Sequence, residues 1–198
     1  MTQPPYSNQP PYLGRPSHPP RPAPFAAPTP NRSGLARPTT WLATACMGLM
    51  AGLFYAFAVA VMPGLARTDD RTLVASMQAV NRAIENLPFA VTFVGSFVFT
   101  GTAAFLQYRV GARAAARWIL ASLALYVVAM AITMGVNIPL NEVLAGVDLA
   151  DAAALATARA DFEGPWTAAN VARALACTLA LGCLGYAQSV RSEQGSTT

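Results

Sequence analysis

Apolar positions fill four long stretches of the chain, and polar positions collect between them. Charge-free runs extend over residues 38–66, 86–108, 118–141 and 174–190. A helix that crosses about 30 Å of hydrocarbon needs roughly 20 apolar residues, so each run predicts a membrane span. The spans are placed at about 41–62, 87–108, 118–140 and 165–190, the last carrying Arg173 in its first third. A water-soluble helix would not stay charge-free on every face for this long. The first run follows a Pro-rich stretch and is too long for a cleavable signal peptide. Between Asp69 and Asn86, Leu73, Met77, Val80 and Ile84 recur every three or four residues, which predicts a helix with one apolar face lying along the membrane surface. A second short helix, rich in Ala, is expected at about Leu149–Asp161, as a spacer or a gate. Pro165 then reads as a first-turn residue of the fourth span, with Glu163 near its start.

Composition sharpens this picture. Of the 198 residues, 54% are hydrophobic and only 11% are charged, where a soluble domain carries about a quarter. That deficit argues against an ordinary cytosolic enzyme. Twelve of the 16 prolines lie in residues 1–38, a stretch too poor in large apolar residues to bury a core. The expected organisation is a disordered Pro-rich tail over 1–38, a four-span domain over 39–190 and a short tail over 191–198. The fold class is thus all-α: an integral membrane four-helix bundle with an amphipathic outer surface helix and a disordered N-terminal tail. Within the tail, Pro4-Pro5-Tyr6 and Pro10-Pro11-Tyr12 form a near-repeat in polyproline-like chain, either a solubilising segment or a docking motif.

All 13 basic residues are Arg, and their placement sets an orientation. The N-terminal tail, the 109–117 loop and the C-terminal tail hold eight of them, while the opposite loops hold Arg67, Arg71, Arg82 and Arg159 with eight of the nine acids. Positive charge stays on the cytoplasmic side, so both termini are expected in the cytoplasm of a multi-pass cell-membrane protein. The balance does not point to nucleic acid. Cys46, Cys177 and Cys183 lie in apolar runs and read as small buried residues, not a disulfide or zinc framework. His18, the lone histidine, is in the tail, so the spans offer no imidazole pair for a haem and no His-rich metal site.

Polar side chains inside spans are costly, and those that persist mark candidate sites. Asn137-Ile138-Pro139-Leu140-Asn141-Glu142 puts two carboxamides at i and i+4 on one face, beside a proline that removes a backbone donor. The alternative is a helix ending at the interface. Trp166, Asn170 and Arg173 share a face of the fourth span, and Phe162 extends it backward. An Arg at depth costs on the order of 3 kcal/mol unless a bundle shelters it, although a lipid-facing Arg could also snorkel. A third group is Gln78 and Asn81 on the surface helix, with Met62-Pro63-Gly64 closing the first span. Topology brings all three groups to the outer end of the bundle, which predicts a pocket for a small hydrophobic or aromatic ligand, lined by Trp166, Gln78, Asn81, Met62 and Phe162.

The runs GLFYAFAVAVMPGL (Gly52–Leu65), MQAVN (Met77–Asn81), NIPLNE (Asn137–Glu142) and FEGPWTAANVAR (Phe162–Arg173) resemble, in order and spacing, a small four-span membrane family of unknown function that includes the anthrone oxygenases. The resemblance covers about residues 41–188. It implies a membrane-embedded four-helix bundle and, in characterised members, oxidation of an anthrone to an anthraquinone by O2 without metal or flavin. For that chemistry Arg173 would hold the enolate oxygen, Asn137, Asn141 and Asn170 would donate hydrogen bonds to it, and Trp166 would stack on the flat substrate. Glu142 would be the base, with its pKa raised by partial burial. A non-catalytic accessory or binding protein using the same pocket is the alternative. A small-molecule transporter is disfavoured by the lack of any carboxylate in mid-span. Small residues such as Gly48, Gly52, Gly95 and Gly101 allow close helix packing and would equally serve a homo-oligomer.

Overall fold

Asp69 and Asn86 each precede a helix and set its start. Both are extended in backbone, and their side chains accept from amides three residues on, Thr72 at 3.0 Å and Phe89 at 2.9 Å, the arrangement that satisfies otherwise orphaned first-turn donors. Asn86 also donates to the Ala83 carbonyl at 2.7 Å, closing one helix while opening the next. Gly111 adopts a left-handed backbone, φ 87°, at the turn after the second span, where a residue with Cβ would be strained. These signals divide the chain into five helices in a computed structural model that describes residues 1–2 and 34–196, with side chains described to residue 191.

The helices are α1 (Ala36–Leu65), α2 (Asp70–Ile84), α3 (Leu87–Arg109), α4 (Arg113–Ala145) and α5 (Ala152–Ser196). Among them α1, α3, α4 and the Ala152–Arg191 part of α5 are long and apolar enough to cross a membrane. The bundle is a four-cornered one in which α1 packs on α3 and α5, and α4 packs on α3 and α5. Its core is built largely of small residues, among them Ala43, Ala103, Ala115, Ala129 and Ala180, with Met47, Met50, Ile119, Tyr126 and Leu184 filling the space between. Close approach of backbones through small side chains is the packing mode available where lipid is as apolar as the partner helix.

Two features depart from the sequence expectation. The short helix expected at 149–161 and the fourth span are one continuous helix, with Pro165 in its interior. Pro165 cannot donate to the Asp161 carbonyl, but Asp161 is exposed at the end of the bundle, where water can satisfy that group. The surface helix α2 is also turned from the face expected for it. Leu73, Val74, Met77 and Gln78 are buried, while Val80 and Ile84 are only partly covered. Its apolar side packs on Met62, Leu144, Leu155, Phe162 and Trp166 in a second core cluster. The helix therefore lids one end of the bundle. The expected tail over 1–38 falls mainly outside the described residues, and α1 begins at Ala36 with Ala36 and Thr40 already buried.

Helices α1 and α4 each contain one widened, π-helical turn, at Phe57–Val61 and Thr133–Asn137. Each ends two residues before a proline, Pro63 and Pro139. A proline lacks the N–H that the preceding turn expects and crowds its carbonyls, and a wider turn accommodates both demands. Both widened turns lie toward the end that α2 covers.

Candidate functional site

The polar residues singled out in the sequence converge at that end. On α5, Trp166, Asn170 and Arg173 share a face directed between the helices, and all three are buried, with Arg173 5% exposed. The Asn170 carboxamide is used at both ends: its Nδ2 donates to the Phe54 carbonyl at 2.9 Å, and its Oδ1 accepts from Arg173 Nη2 at 3.0 Å. Arg173 Nη1 donates to Thr133 Oγ1 at 3.3 Å. The guanidinium lies over the Phe54 ring, 4.3 Å from its centre, and 5.6 Å from that of Trp166. Rings contribute roughly 0.5–2 kcal/mol toward holding a desolvated cation.

No carboxylate pairs with this cation. Among the described residues the ion pairs are those of Arg159 with Asp70 and Glu163, and Arg173 Nε has no hydrogen-bond partner. Neutral dipoles and ring faces soften the cost of a buried charge but leave its sign uncompensated.

Helix α4 supplies the facing wall. Asn137 Nδ2 donates to the Trp166 carbonyl at 3.3 Å, and Trp166 Nε1 donates to Asn141 Oδ1 at 2.8 Å. Phe57 and Phe162 pack on the same indole, with ring centres 5.7 and 5.9 Å away. Trp166 is therefore fixed from several sides, and little of its ring is left for stacking. Gln78 donates to the Leu144 and Val147 carbonyls at 2.9 and 3.0 Å, tying α2 to the end of α4.

These elements enclose a cavity of about 580 Å³. Arg173, Asn170, Asn137 and Trp166 line it with Asn141, Gln78 and Asn81, together with the aromatic rings of Phe54, Phe57, Phe89 and Phe93. Three of the lining residues carry a buried polar atom with no partner: Asn81 Nδ2, Asn137 Oδ1 and Arg173 Nε. Buried polar groups are otherwise almost always satisfied. Such a cluster on one cavity wall is a local electrostatic demand.

Several sequence expectations need correction. Met62 and Phe162 do not line the cavity. They are buried beneath α2 and support its wall from behind. The observed donor bonds of Asn137 and Asn170 run to backbone carbonyls, and Asn141 acts as acceptor to Trp166, so these amides position the guanidinium and the indole. Glu142 lines the cavity but is exposed at its rim with Arg82, Glu85 and Asn86, without the partial burial expected of it. Phe54, Phe57, Phe89, Phe93 and Thr133 were not anticipated. Thr133 was within reach, because Thr133, Asn137 and Asn141 recur at i, i+4 and i+8. The phenylalanines carry no such signal inside runs that are apolar throughout.

A bundle of four apolar helices around a cation-bearing cavity defines a class: multi-pass helical membrane proteins with a buried polar site. Residues 89–183, just under half of the chain, match the family model described as anthrone oxygenase, and over that stretch the chain is similar to this family. The matched stretch includes Asn137, Asn141, Trp166, Asn170 and Arg173. No match was found among curated proteins or among solved structures.

Proposed function

We propose that the cavity binds a planar hydrophobic aromatic compound bearing a weakly acidic oxygen, and that the protein oxidises it with O2 as an anthrone is oxidised to an anthraquinone. The observation that carries this reading is Arg173, a buried cation with no carboxylate partner in the wall of an aromatic-lined cavity. An oxyanion placed against it would satisfy the cation and would itself be stabilised in a low-dielectric setting. Arg173 thereby favours the enolate of an anthrone over its keto form and makes the ring CH2 more acidic.

The step balances without a resident cofactor. A proton leaves the ring CH2, and the resulting carbanion gives its electron pair to O2, forming a C–O bond and, after protonation, a hydroperoxide. Loss of the second C–H proton breaks the O–O bond, releases water and leaves the carbonyl. The carboxylates among the lining residues, Glu142 and Glu85, stand at the rim and are the proton acceptors in this scheme. Phe54, Phe57, Phe89 and Phe93 provide flat surfaces for the rings.

A second reading, a non-catalytic binding protein, is favoured by one observation: neither rim carboxylate is buried beside the guanidinium. The orientation proposed with either reading puts both termini in the cytoplasm and the α2 end outside. It is supported by Arg37, Arg109, Arg113, Arg117 and Arg191 at the opposite end, against the acid-rich loops beside α2.

The test is O2 consumption by purified protein given emodin anthrone, beside boiled protein and Arg173→Ala. Uptake above autoxidation that requires Arg173 is the expected result. Tight binding of the anthrone with no uptake would move the assignment to the second reading, and no binding would reject both.

A further inference from the structure

The cavity has two unlike borders. One is polar and exposed, made by Arg82, Glu85, Asn86 and Glu142 at the α2 end. The other is made by Ala90 and Val94 on α3 and by Met134 and Ile138 on α4. Each of these two pairs is spaced i, i+4 and so forms a short ridge on one helix face. All four residues line the cavity, yet all four are also exposed on the flank of the bundle: Val94 and Met134 are 54% and 53% exposed. A side chain that is at once cavity wall and outer surface stands on the edge of an opening.

The packing of the two helices explains why the opening is there. Toward the middle of the bundle α3 and α4 are joined, by Tyr126 donating to the Phe93 carbonyl at 2.8 Å and by the edge-on contact of their rings. Beyond the widened turn at Thr133–Asn137, the end of α4 packs on α5 and α2. The apolar side chains of Ala90, Val94, Met134 and Ile138 border the space left between α3 and α4. Val94 lies seven residues into α3 from Leu87, about 10 Å along the axis, a depth inside the hydrocarbon of a bilayer.

We infer that the cavity is loaded sideways from the bilayer, through the gap between Ala90/Val94 and Met134/Ile138, and that its ligand is therefore one that dissolves in hydrocarbon. This rests on the reading of the cavity as a ligand site but on no reaction. The compound arrives with its apolar body in the membrane, passes between the two ridges, and turns its acidic oxygen toward Arg173. The polar rim is not its route. A ligand held in water would have to shed its hydration at that rim, whereas one already in lipid has no such step.

The probe is 6-bromo-2-naphthol, a flat, lipid-soluble phenol whose bromine quenches indole fluorescence on contact. With Trp41→Phe and Trp118→Phe, Trp166 becomes the reporter inside the cavity wall, and the full chain is reconstituted in phosphatidylcholine vesicles. Mixing is expected to quench Trp166. Filling the gap with Val94→Phe and Met134→Phe is expected to slow that quenching several-fold with little change in its final extent, while Arg82→Tyr at the polar rim leaves the rate unchanged. Should the double variant fail to fold, Ala90→Leu narrows the same gap. Equal rates in the parent and the gap-filled protein, or slowing by the rim variant alone, overturn lateral loading and leave the ligand site standing. No quenching of the parent at any concentration overturns both.

Discussion

The guanidinium carbon of Arg173 lies 4.3 Å from the centre of the Phe54 ring, and the Phe54 carbonyl accepts a hydrogen bond from the Asn170 side chain that also holds Arg173. One residue of α1 thus supports the cation twice, by its ring and by its backbone. The arrangement keeps the charge in place while leaving it unneutralised.

That arrangement should cost stability and confer binding. Replacing Arg173 by Met removes a buried charge and keeps comparable volume. Insertion scales put an Arg at mid-span at about 3 kcal/mol unfavourable. Arg173→Met should therefore unfold in detergent at a temperature no lower than the parent's while binding of emodin anthrone is lost. A variant that unfolds far earlier would mean that the guanidinium is a structural support and not a ligand site.

The indole of Trp166 and the amide of Asn141 form a bond that can be isolated. In a double-mutant cycle of Trp166→Phe and Asn141→Leu, read by equilibrium unfolding in mixed detergent, the coupling should be favourable. Bonds of this kind within membrane bundles average about 0.6 kcal/mol and reach about 1.7 kcal/mol. A coupling of zero would show that the 2.8 Å contact is not maintained in solution.

Arg159 ties the lid to the bundle. It donates to the carbonyls of Ala66 and Thr68 at 2.8 and 2.7 Å, and it pairs with Asp70 at 3.1 Å and Glu163 at 2.8 Å. Arg159→Ala should speed amide hydrogen exchange across residues 66–74 while leaving the cores of α3 and α4 protected. Arg159→Lys keeps the charge but cannot span four acceptors, and should fall between. Equal exchange in all three proteins would remove Arg159 from the docking of α2.

Acid should loosen the same end of that lid. The Thr72 hydroxyl, and then its amide, hold the Asp69 carboxyl below the usual carboxylate range. A carboxyl whose folded pKa is lowered adds stability above its unfolded pKa of about 3.9, and that stability fades as pH falls through the lowered value. Exchange in the first turn of α2 should therefore rise below about pH 4 in the parent. In Asp69→Asn, which keeps an acceptor but does not titrate, it should stay flat across that range.

Much of this was legible in the chain. Four apolar runs give four spanning helices because nothing but a helix satisfies its own backbone in lipid. Asn137, Asn170 and Arg173 stand out for the same reason, since polar side chains at that depth need partners. The continuity of α5 was not legible, because Pro165 is a first-turn residue by local rules and an interior one only when packing on α1 and α4 overrides them. Nor was the supporting role of Met62 and Phe162, which depends on how α2 turns its face. Glu142 looked like a base by its place beside Asn141, but one step along a helix turns a side chain by about 100°, enough to carry it from wall to rim.

The widened turns at Phe57–Val61 and Thr133–Asn137 make each of α1 and α4 a spliced helix. The half in the middle of the bundle and the half under α2 are out of step by a residue, so each half keeps its own packing register. Winding either turn into regular α-helix with all its residues kept would swing everything beyond it by about 100°. The bundle's middle would survive such a change, yet Asn141 would leave Trp166, or Met62 would leave α2. Deleting one residue along with the widening would instead keep both halves facing as they do, so at two points of the chain the cavity depends on how one surplus residue is absorbed.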